Sequence, residues 1–201
     1  MSDLFTPSGE WEQLDLPDAD VALLRGLALP ADCMARLVAE CDWRQDAIRL
    51  YGREMLQPRL HAWYGEPEAV YTYSGLRNVP LPWTPLLAEL RGVVEGAAGA
   101  RFNSVLLNLY RDGRDSMGMH SDDEPELGPQ PVIASLSLGA TRAFILRHRR
   151  ERALKPVRVP LGDGDLLVMR GETQANWAHG INKQTQAGAR VNLTFRNIDA
   201  R

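Results

Sequence analysis

Apolar residues recur at helical spacing in two stretches of the first hundred positions. Pro30 opens the first stretch, whose apolar positions are Met34, Leu37, Val38 and Cys41. The second has Thr84 as an N-cap and Pro85 in its first turn, and it ends near Gly96. Its inward positions are Leu87, Leu90 and Val94. This spacing predicts two amphipathic helices, with short strands and loops in the aromatic and arginine-rich stretch 48–74 between them.

Beyond residue 102 the pattern changes to short strand-like runs. The predicted strands are residues 104–110, 132–138, 143–146, 157–160, 165–169 and 191–196. Turn signals containing glycine separate them, at 111–113 and 162–164. Short strands at close spacing without intervening helices favour an antiparallel sandwich or jelly roll over a parallel sheet. The predicted fold class is α+β, mainly β.

Length and composition indicate one globular domain. The chain has 201 residues, of which 44% are hydrophobic and 24% charged, which suffices for a single core. We expect a polar leader over residues 1–25 and a domain over 26–201. The acidic start lacks the basic and apolar regions of a signal peptide, and no long apolar run occurs. We therefore expect an intracellular protein that does not enter a membrane, cytoplasmic if bacterial.

The two cysteines, Cys33 and Cys41, fall in the first predicted helix. Eight residues of helix separate their Cα atoms by roughly 12 Å, which is more than the roughly 7 Å that a disulfide can span. We expect reduced, structural thiols.

Charge is distributed unevenly along the chain. The net charge of −3 argues weakly against nucleic acid as a partner. Within residues 142–158, however, Glu151 is the only acid among seven basic residues, namely Arg142, Arg147, Arg149, Arg150, Arg152, Lys155 and Arg158. This stretch is either a phosphate-binding surface or a solvated charged hairpin.

Histidines are few, and three residues could form a metal site. His120 and Asp122 are two residues apart, so in an extended segment both side chains point to one side. His179 would be the third ligand. Two histidines and one carboxylate are typical of non-haem iron(II) oxygenases, but zinc accepts the same set. The ligands alone leave the metal open.

Residues 190–196 alternate strictly between polar and apolar side chains. The polar face carries Arg190, Asn192, Thr194 and Arg196. Paired arginines on a barrel interior suit a small dianion, because each guanidinium can bind a carboxylate through two hydrogen bonds. Alternation in 104–110 likewise points Asn108 and Tyr110 together. The alternative is an exposed polar strand face with surface arginines.

Five ordered motifs carry a resemblance to a known family. They are YTYSGL at 71–76, NSVLLNLYRDGRDSMGMHSDDE at 103–124, IASLSLGATRAFILRH at 133–148, LGDGDLLVM at 161–169 and RVNLTFR at 190–196. In these the chain resembles the AlkB family of Fe(II)/2-oxoglutarate-dependent nucleic-acid demethylases, and most closely its duplex-DNA-repairing animal-type members and their bacterial relatives. The resemblance implies a double-stranded β-helix (jelly roll) over about 102–198, flanked by N-terminal helices, with a nucleotide-recognition lid over about 44–80.

The resemblance also implies cofactors and their ligands. His120, Asp122 and His179 would bind Fe(2+). Arg190 with Tyr110 would bind the distal carboxylate of 2-oxoglutarate, and Arg196 with Asn108 the carboxylate beside the keto group. Asn192 and Thr194 match the same strand. With molecular oxygen, such an enzyme oxidises the methyl groups of N-alkylated bases such as 1-methyladenine and 3-methylcytosine, releasing formaldehyde and succinate.

Substrate contacts follow from the same resemblance. A base must leave the duplex to reach the iron, and the lid residues that would hold it are Tyr71, Tyr73 and Ser74. Asp123 and Glu124 resemble the base-reading acids. Tyr51 would wedge between base pairs while Arg49 and Arg53 approach phosphates. Arg142 and Arg147 would bind phosphates.

Three functional hypotheses stay open at the level of sequence. Alkylated DNA, single- or double-stranded, is the leading substrate, RNA is the second, and a binding module that has lost turnover is the third. The intact ligand set argues against the last of these. We expect a monomer.

Overall fold

The computed structural model describes residues 9–50, 53–73 and 76–199 of the chain. In chain order its strands are β1 (Trp11–Gln13), β2 (Asp20–Leu24), β3 (Ala47–Leu50), β4 (Arg53–Leu56), β5 (Leu60–Gly65), β6 (Tyr71–Tyr73), β7 (Leu76–Asn78), β8 (Ser104–Tyr110), β9 (Met117–His120), β10 (Ile133–Gly139), β11 (Arg142–His148), β12 (Val157–Leu161), β13 (Leu166–Arg170), β14 (Trp177–Ile181) and β15 (Arg190–Arg196). The helices are α1 (Cys33–Glu40), α2 (Pro85–Ala98) and α3 (Thr173–Asn176).

Two antiparallel sheets form the centre of the molecule. The larger has the order β1-β2-β13-β10-β15-β8-β5, and the smaller has the order β12-β11-β14-β9. From β8 onward the chain passes repeatedly between them: β8, β10, β13 and β15 belong to the larger sheet, and β9, β11, β12 and β14 to the smaller. This winding is that of a jelly roll, or double-stranded β-helix, so the fold predicted from the sequence is confirmed.

Two apolar clusters hold the layers together. Between the sheets, Phe144 and Leu146 of β11 belong to one cluster with Leu167 and Met169 of β13. On the other face of the larger sheet, α1 and α2 pack against the apolar residues of β8 and β15, including Leu107 and Leu193. The apolar residues of β15 therefore face the helices, and its polar residues face the space between the sheets.

The leader expected over residues 1–25 contributes two strands to the larger sheet. β2 pairs with β13, and Val21, Leu23 and Leu24 are fully buried. This corrects the expected boundary at residue 25, because β1 and β2 belong to the jelly roll. The apolar run has no period of two because it is covered on both faces: Val21 lies in the cluster between the sheets and Leu24 in the cluster under the helices.

Both predicted helices are present, with corrections. The side chain of Thr84 accepts a hydrogen bond from the Leu87 amide at 3.2 Å, as expected of an N-cap, but α2 continues past Gly96 to Ala98. It stops there because Gly99 takes the left-handed conformation, with φ of 63°. In α1, Val38 was wrongly placed inside; it is 41% exposed, because the next residue in a helix points about 100° away from the buried Leu37.

Two smaller features complete the fold. The hairpins β3–β4 and β6–β7 lie in the segment expected to form the lid. Cys33 and Cys41 are buried free thiols, as predicted. Within the described ranges, no helix is long and apolar enough to cross a membrane.

Candidate metal and keto-acid site

Adjacent strands of the smaller sheet bring three potential metal ligands together. His120 ends β9 and is the register partner of His179 in β14. Asp122 follows two residues after His120. One nitrogen or oxygen from each of the three side chains lies within 4.8 Å of the others. The structure therefore assembles the His-x-Asp pair and the distant histidine into one cluster.

Hydrogen bonds fix the orientation of these side chains. His120 Nδ1 lies 2.9 Å from the carbonyl oxygen of Gly118. A carbonyl only accepts, so Nδ1 carries the proton and Nε2 keeps a lone pair for a metal. The Asp122 amide donates to Oε1 of Gln174 at 2.9 Å, and Asp122 Oδ1 accepts from Arg196 Nη2 at 2.6 Å.

The electrostatics of the cluster favour a bound cation. Burial would raise the pKa of Asp122, but Arg196 and the two imidazoles outweigh it and hold that pKa below its usual value. Burial and the neighbouring His120 lower the pKa of His179 to about 3, so its imidazole is neutral near neutral pH. In the part of the chain that the structure describes, Asp122 Oδ2 and His179 Nδ1 lack a hydrogen-bond partner. A charged carboxylate beside the neutral imidazole of His179 fits a divalent metal ion.

The polar face of β15 is buried, which excludes a surface role for its arginines. Arg190 is fully buried, and Arg196 is 8% exposed. Arg190 Nη2 donates to Ser137 Oγ and to Asn192 Oδ1, both at 2.8 Å. Arg190 Nε and Nη1 and Arg196 Nε have no partner among the described residues. Buried guanidinium donors without acceptors fit an anionic ligand such as a dicarboxylate.

Asn108 and Tyr110 lie across from this strand. In the register of β8 and β15, Tyr110 is opposite Arg190 and Asn108 is opposite Asn192. The Arg190 Cζ atom lies 5.3 Å from the centre of the Tyr110 ring. Asn108 Oδ1 accepts from Arg59 Nε at 2.8 Å, so the Asn108 amide nitrogen can serve as a donor. Asn108 and Tyr110 thus point the same way, as the alternation predicts, and Tyr110 lies beside Arg190. The expected pairing of Asn108 with Arg196 is not seen, because the register places Asn108 opposite Asn192 and Arg196 opposite Ser104.

A narrow cavity of about 30 Å³, open to solvent, joins the metal cluster to this strand. Its lining includes eight of the residues singled out in the sequence: Asn108, Tyr110, His120, Asp122, His179, Asn192, Thr194 and Arg196. Apolar side chains, among them Met117 and Phe144, complete the wall. The Phe144 ring stacks on His179, with ring centres 5.2 Å apart. The cavity therefore combines a metal-ligating end with an anion-binding wall.

The expected substrate contacts are placed unevenly. Tyr51 and Ser74 lie outside the described residues. Tyr71 and Tyr73 belong to β6, but only their backbone is described. Asp123 is exposed and accepts from Arg149 Nη1 at 2.7 Å.

Glu124 and Arg147 are two more of the expected substrate contacts. Glu124 is partly exposed, at the N-terminal end of the 3-10 turn Pro125–Leu127. Arg147 is exposed on β11. Both side chains are therefore accessible to a substrate.

The position of Arg142 contradicts its expected role in binding phosphate. It is fully buried, and its guanidinium donates to the carbonyl oxygens of Asp112, Asp115 and Asn182. A side chain enclosed in this way cannot contact a phosphate backbone. The sequence shows the positive charge of this residue but not its burial at the start of β11.

Three buried positions near the site were missed in the sequence. Ser135 and Ser137 alternate with apolar residues in β10, and they hydrogen bond to Asn192 and Arg190 respectively. That period of two was a usable signal. Gln174, 2% exposed in α3, gave no signal because it is a lone polar residue in a helix of four.

Comparisons with known proteins agree with this geometry. The family model described as the 2OG-Fe(II) oxygenase superfamily matches residues 28–196. The chain is 40% identical over 191 residues to the DNA oxidative demethylase ALKBH2 of Homo sapiens, covering 90% of this chain and 73% of that protein. It is 46% identical over 177 residues to the alpha-ketoglutarate-dependent dioxygenase alkB homolog 3 of Rattus norvegicus, covering 82% of this chain. The chain spans 58% of the length of that rat protein.

A solved structure shares the fold. "The structure of OsALKBH1" aligns with a TM-score of 0.66 at 17% identity, covering 94% of this chain and 100% of that one. The residues that match the family model, 28–196, include His120, Asp122, His179, Arg190 and Arg196. The chain therefore belongs to the 2OG-Fe(II) oxygenase superfamily and, within it, to the AlkB family.

Proposed function

We propose that this protein is an Fe(II)/2-oxoglutarate-dependent demethylase that repairs N-alkylated bases in DNA. The observation that carries the proposal is a cavity lined by a His-Asp-His cluster and by Asn192, Thr194 and Arg196 of β15. His120, Asp122 and His179 would hold the iron. With 2-oxoglutarate and oxygen, the bound iron supplies the oxidation of an N-methyl group, whose carbon then leaves as formaldehyde.

The residues of the chain bind and orient the reactants. Arg190, with its two unpartnered donor nitrogens beside Tyr110, would bind the distal carboxylate of 2-oxoglutarate. Arg196 would bind the carboxylate next to the keto group while it holds Asp122 in place. Because these groups are already oriented by Ser137, Asn192 and Asp122, little further ordering is needed on binding.

The nature of the cavity wall supports oxidation rather than hydrolysis. Apolar side chains surround the histidines, including Met117, Phe144 and Ile181. They limit the access of bulk water and keep the imidazole of His179 neutral. A hydrolytic zinc enzyme would need a positioned general base, and the only carboxylate in the described lining is Asp122, which would itself be a metal ligand.

Nucleic acid as the substrate is supported by the surface beside the cavity. Arg147 and Arg149 of the β11–β12 hairpin region are exposed, and Arg149 contacts Asp123 directly after the cluster residue Asp122. Arg149, which is held next to the metal cluster by Asp123, would attract phosphates near the cavity, and Arg147 would add positive charge on the exposed face of β11. The relatives named as DNA oxidative demethylases favour DNA over RNA.

The experiment is a turnover assay on matched oligonucleotides. Purified protein with Fe(II) and 2-oxoglutarate receives 1-methyladenine in single-stranded DNA, duplex DNA or RNA of one sequence. We expect formaldehyde and unmodified adenine in equal amounts, greatest with DNA, and loss of both in the His120→Gln variant. Turnover on RNA alone would replace the DNA proposal. An absence of formaldehyde with every substrate would leave a binding module as the surviving hypothesis.

A further inference from the structure

Arg142 has no surface role, yet it lies next to the proposed keto-acid site. Its Nη2 donates to the carbonyl oxygens of Asp115 at 2.9 Å and Asn182 at 2.8 Å, and its Nη1 to that of Asp112 at 3.3 Å. These carbonyls are neutral groups. The guanidinium is therefore anchored firmly, but no carboxylate hydrogen bonds to it among the described residues.

The same guanidinium packs against the ring that Arg190 also contacts. The Cζ atoms of Arg142 and Arg190 lie 5.5 Å and 5.3 Å from the centre of the Tyr110 ring. Both arginines are fully buried. Two like charges thus contact one buried tyrosine ring. Burial lowers the pKa of Arg190, and the charge of Arg142 lowers it further.

Nearby acids do not cancel this charge. Asp115 receives two side-chain hydrogen bonds from Arg111, both at 2.8 Å, and Asp112 is paired with Arg114 at 2.6 Å. Each acid is already matched by its own arginine. The region behind Tyr110 therefore holds an excess of buried positive charge, which is unfavourable until an anion binds close by.

We propose that Arg142 is a positioning residue of the keto-acid site, which fixes Tyr110 and makes the site selective for a dicarboxylate over a monocarboxylate. The inference rests on the proposed function, since it takes 2-oxoglutarate as the ligand. Arg190 and Tyr110 would meet the distal carboxylate directly, and Arg142 would act on it through the Tyr110 ring and through its charge. A ligand without that carboxylate gains nothing from Arg142.

A purely structural role predicts a different result. If Arg142 only anchors the segment 112–115 and Asn182, its loss disturbs the cavity for every keto acid alike. If its charge matters, the loss of binding affinity falls mainly on dianionic ligands. The ratio of two affinities separates the two roles even when the variant is somewhat less stable.

The test measures ligand binding, not turnover. Protein loaded with Mn(II) is titrated by calorimetry with 2-oxoglutarate and, separately, with 2-oxobutyrate, which lacks the distal carboxylate. In Arg142→Gln, which is neutral but still donates hydrogen bonds, we expect 2-oxoglutarate to bind roughly tenfold more weakly and 2-oxobutyrate to change by less than about threefold. Arg142→Lys, which keeps the charge, should preserve the ratio, and Arg158→Gln, exposed on β12, is the matched control.

Each outcome bears on the proposal. Equal weakening of both ligands, or no weakening of either, would overturn it, as would a tenfold change of ratio in Arg142→Lys. If Arg142→Gln does not fold, Arg142→Met, which also removes the charge but keeps an unbranched side chain, is titrated with the same two ligands, and equal weakening of both overturns the proposal. Failure of the unaltered protein to bind 2-oxoglutarate would instead refute the proposed function itself.

Discussion

Gln174 is expected to control metal affinity without touching the metal. Its side chain is 2% exposed, and its Oε1 accepts the hydrogen bond of the Asp122 amide at 2.9 Å. Its Nε2 contacts Met169 Sδ at 3.4 Å. Replacing it with leucine keeps the volume similar and removes the acceptor. The buried Asp122 N–H is then left unpaired, or the loop after β9 shifts to reach water.

The size of the effect follows from this single bond. An unpaired buried donor costs about 1–3 kcal/mol. If the loop avoids that cost by turning Asp122 away from the two histidines, the same energy is lost from metal binding. Groups that orient metal ligands typically contribute about tenfold to hundredfold in affinity. We therefore expect Gln174→Leu to bind Mn(II) about tenfold to hundredfold more weakly than the unaltered protein.

Calorimetric titration of metal-free protein with Mn(II) measures this directly. Gln174→Glu is the matched control, because a carboxylate still accepts from the Asp122 amide and its charge favours a nearby cation. The control should bind at least as tightly as the unaltered protein. Unchanged affinity in Gln174→Leu, or equal losses in both variants, would refute the orienting role.

Three further perturbations test other parts of the structure. Arg196→Met leaves the Asp122 carboxylate buried without its guanidinium, so the metal-free protein should lose about 3–5 kcal/mol of unfolding free energy in urea; a loss below about 1 kcal/mol would contradict the buried pair. Arg111 holds the pKa of Asp115 below its usual value, so this pair stabilises the fold above the unfolded pKa of about 3.9 and the stabilisation is lost as pH falls through the lower folded pKa. Asp115→Asn should therefore flatten the acid side of the thermal stability curve, and an unchanged acid limb would count against the pair. Arg147→Ala should raise the KM for DNA and reduce the salt dependence of binding by about one charge, whereas equal salt slopes would remove this residue from the phosphate surface.

Alternation and turn chemistry were sufficient to predict most of the jelly roll. The predicted strand 104–110 coincides with β8, and the alternation in 190–196 correctly separated the helix-facing residues of β15 from those facing the cavity. Both strands lie in the middle of the larger sheet, where one face meets helices and the other meets polar groups. Such an environment imposes a strict period of two on the sequence.

Strands that depend on their neighbours were missed. β9 and β14 are short and contain glycine and histidine. They pair with each other, and β14 also pairs with β11. β2 falls within the expected polar leader, and its short apolar run has no alternation that would mark it as a strand. In each case the tertiary environment, which the local sequence does not encode, decides the structure.

The pattern of charged residues in the sequence identified only some of the buried arginines at the site. Arg190 and Arg196 were recognised because they alternate with apolar residues in a strand. Arg142 follows a turn in a basic stretch, and its position beneath Tyr110 comes from the pairing of β11 with β12 and β14. Burial of a lone charged residue depends on these long-range contacts, so the sequence placed it on the surface.

The most direct test of the site is an anaerobic titration of metal-free protein with Fe(II) in the presence of 2-oxoglutarate. The structure predicts one iron bound per chain in the unaltered protein, and loss of that binding when Asp122 is replaced by asparagine. If the Asp122→Asn variant retains the same stoichiometry and affinity, the iron is held elsewhere, and the assignment of His120, Asp122 and His179 as its ligands is wrong.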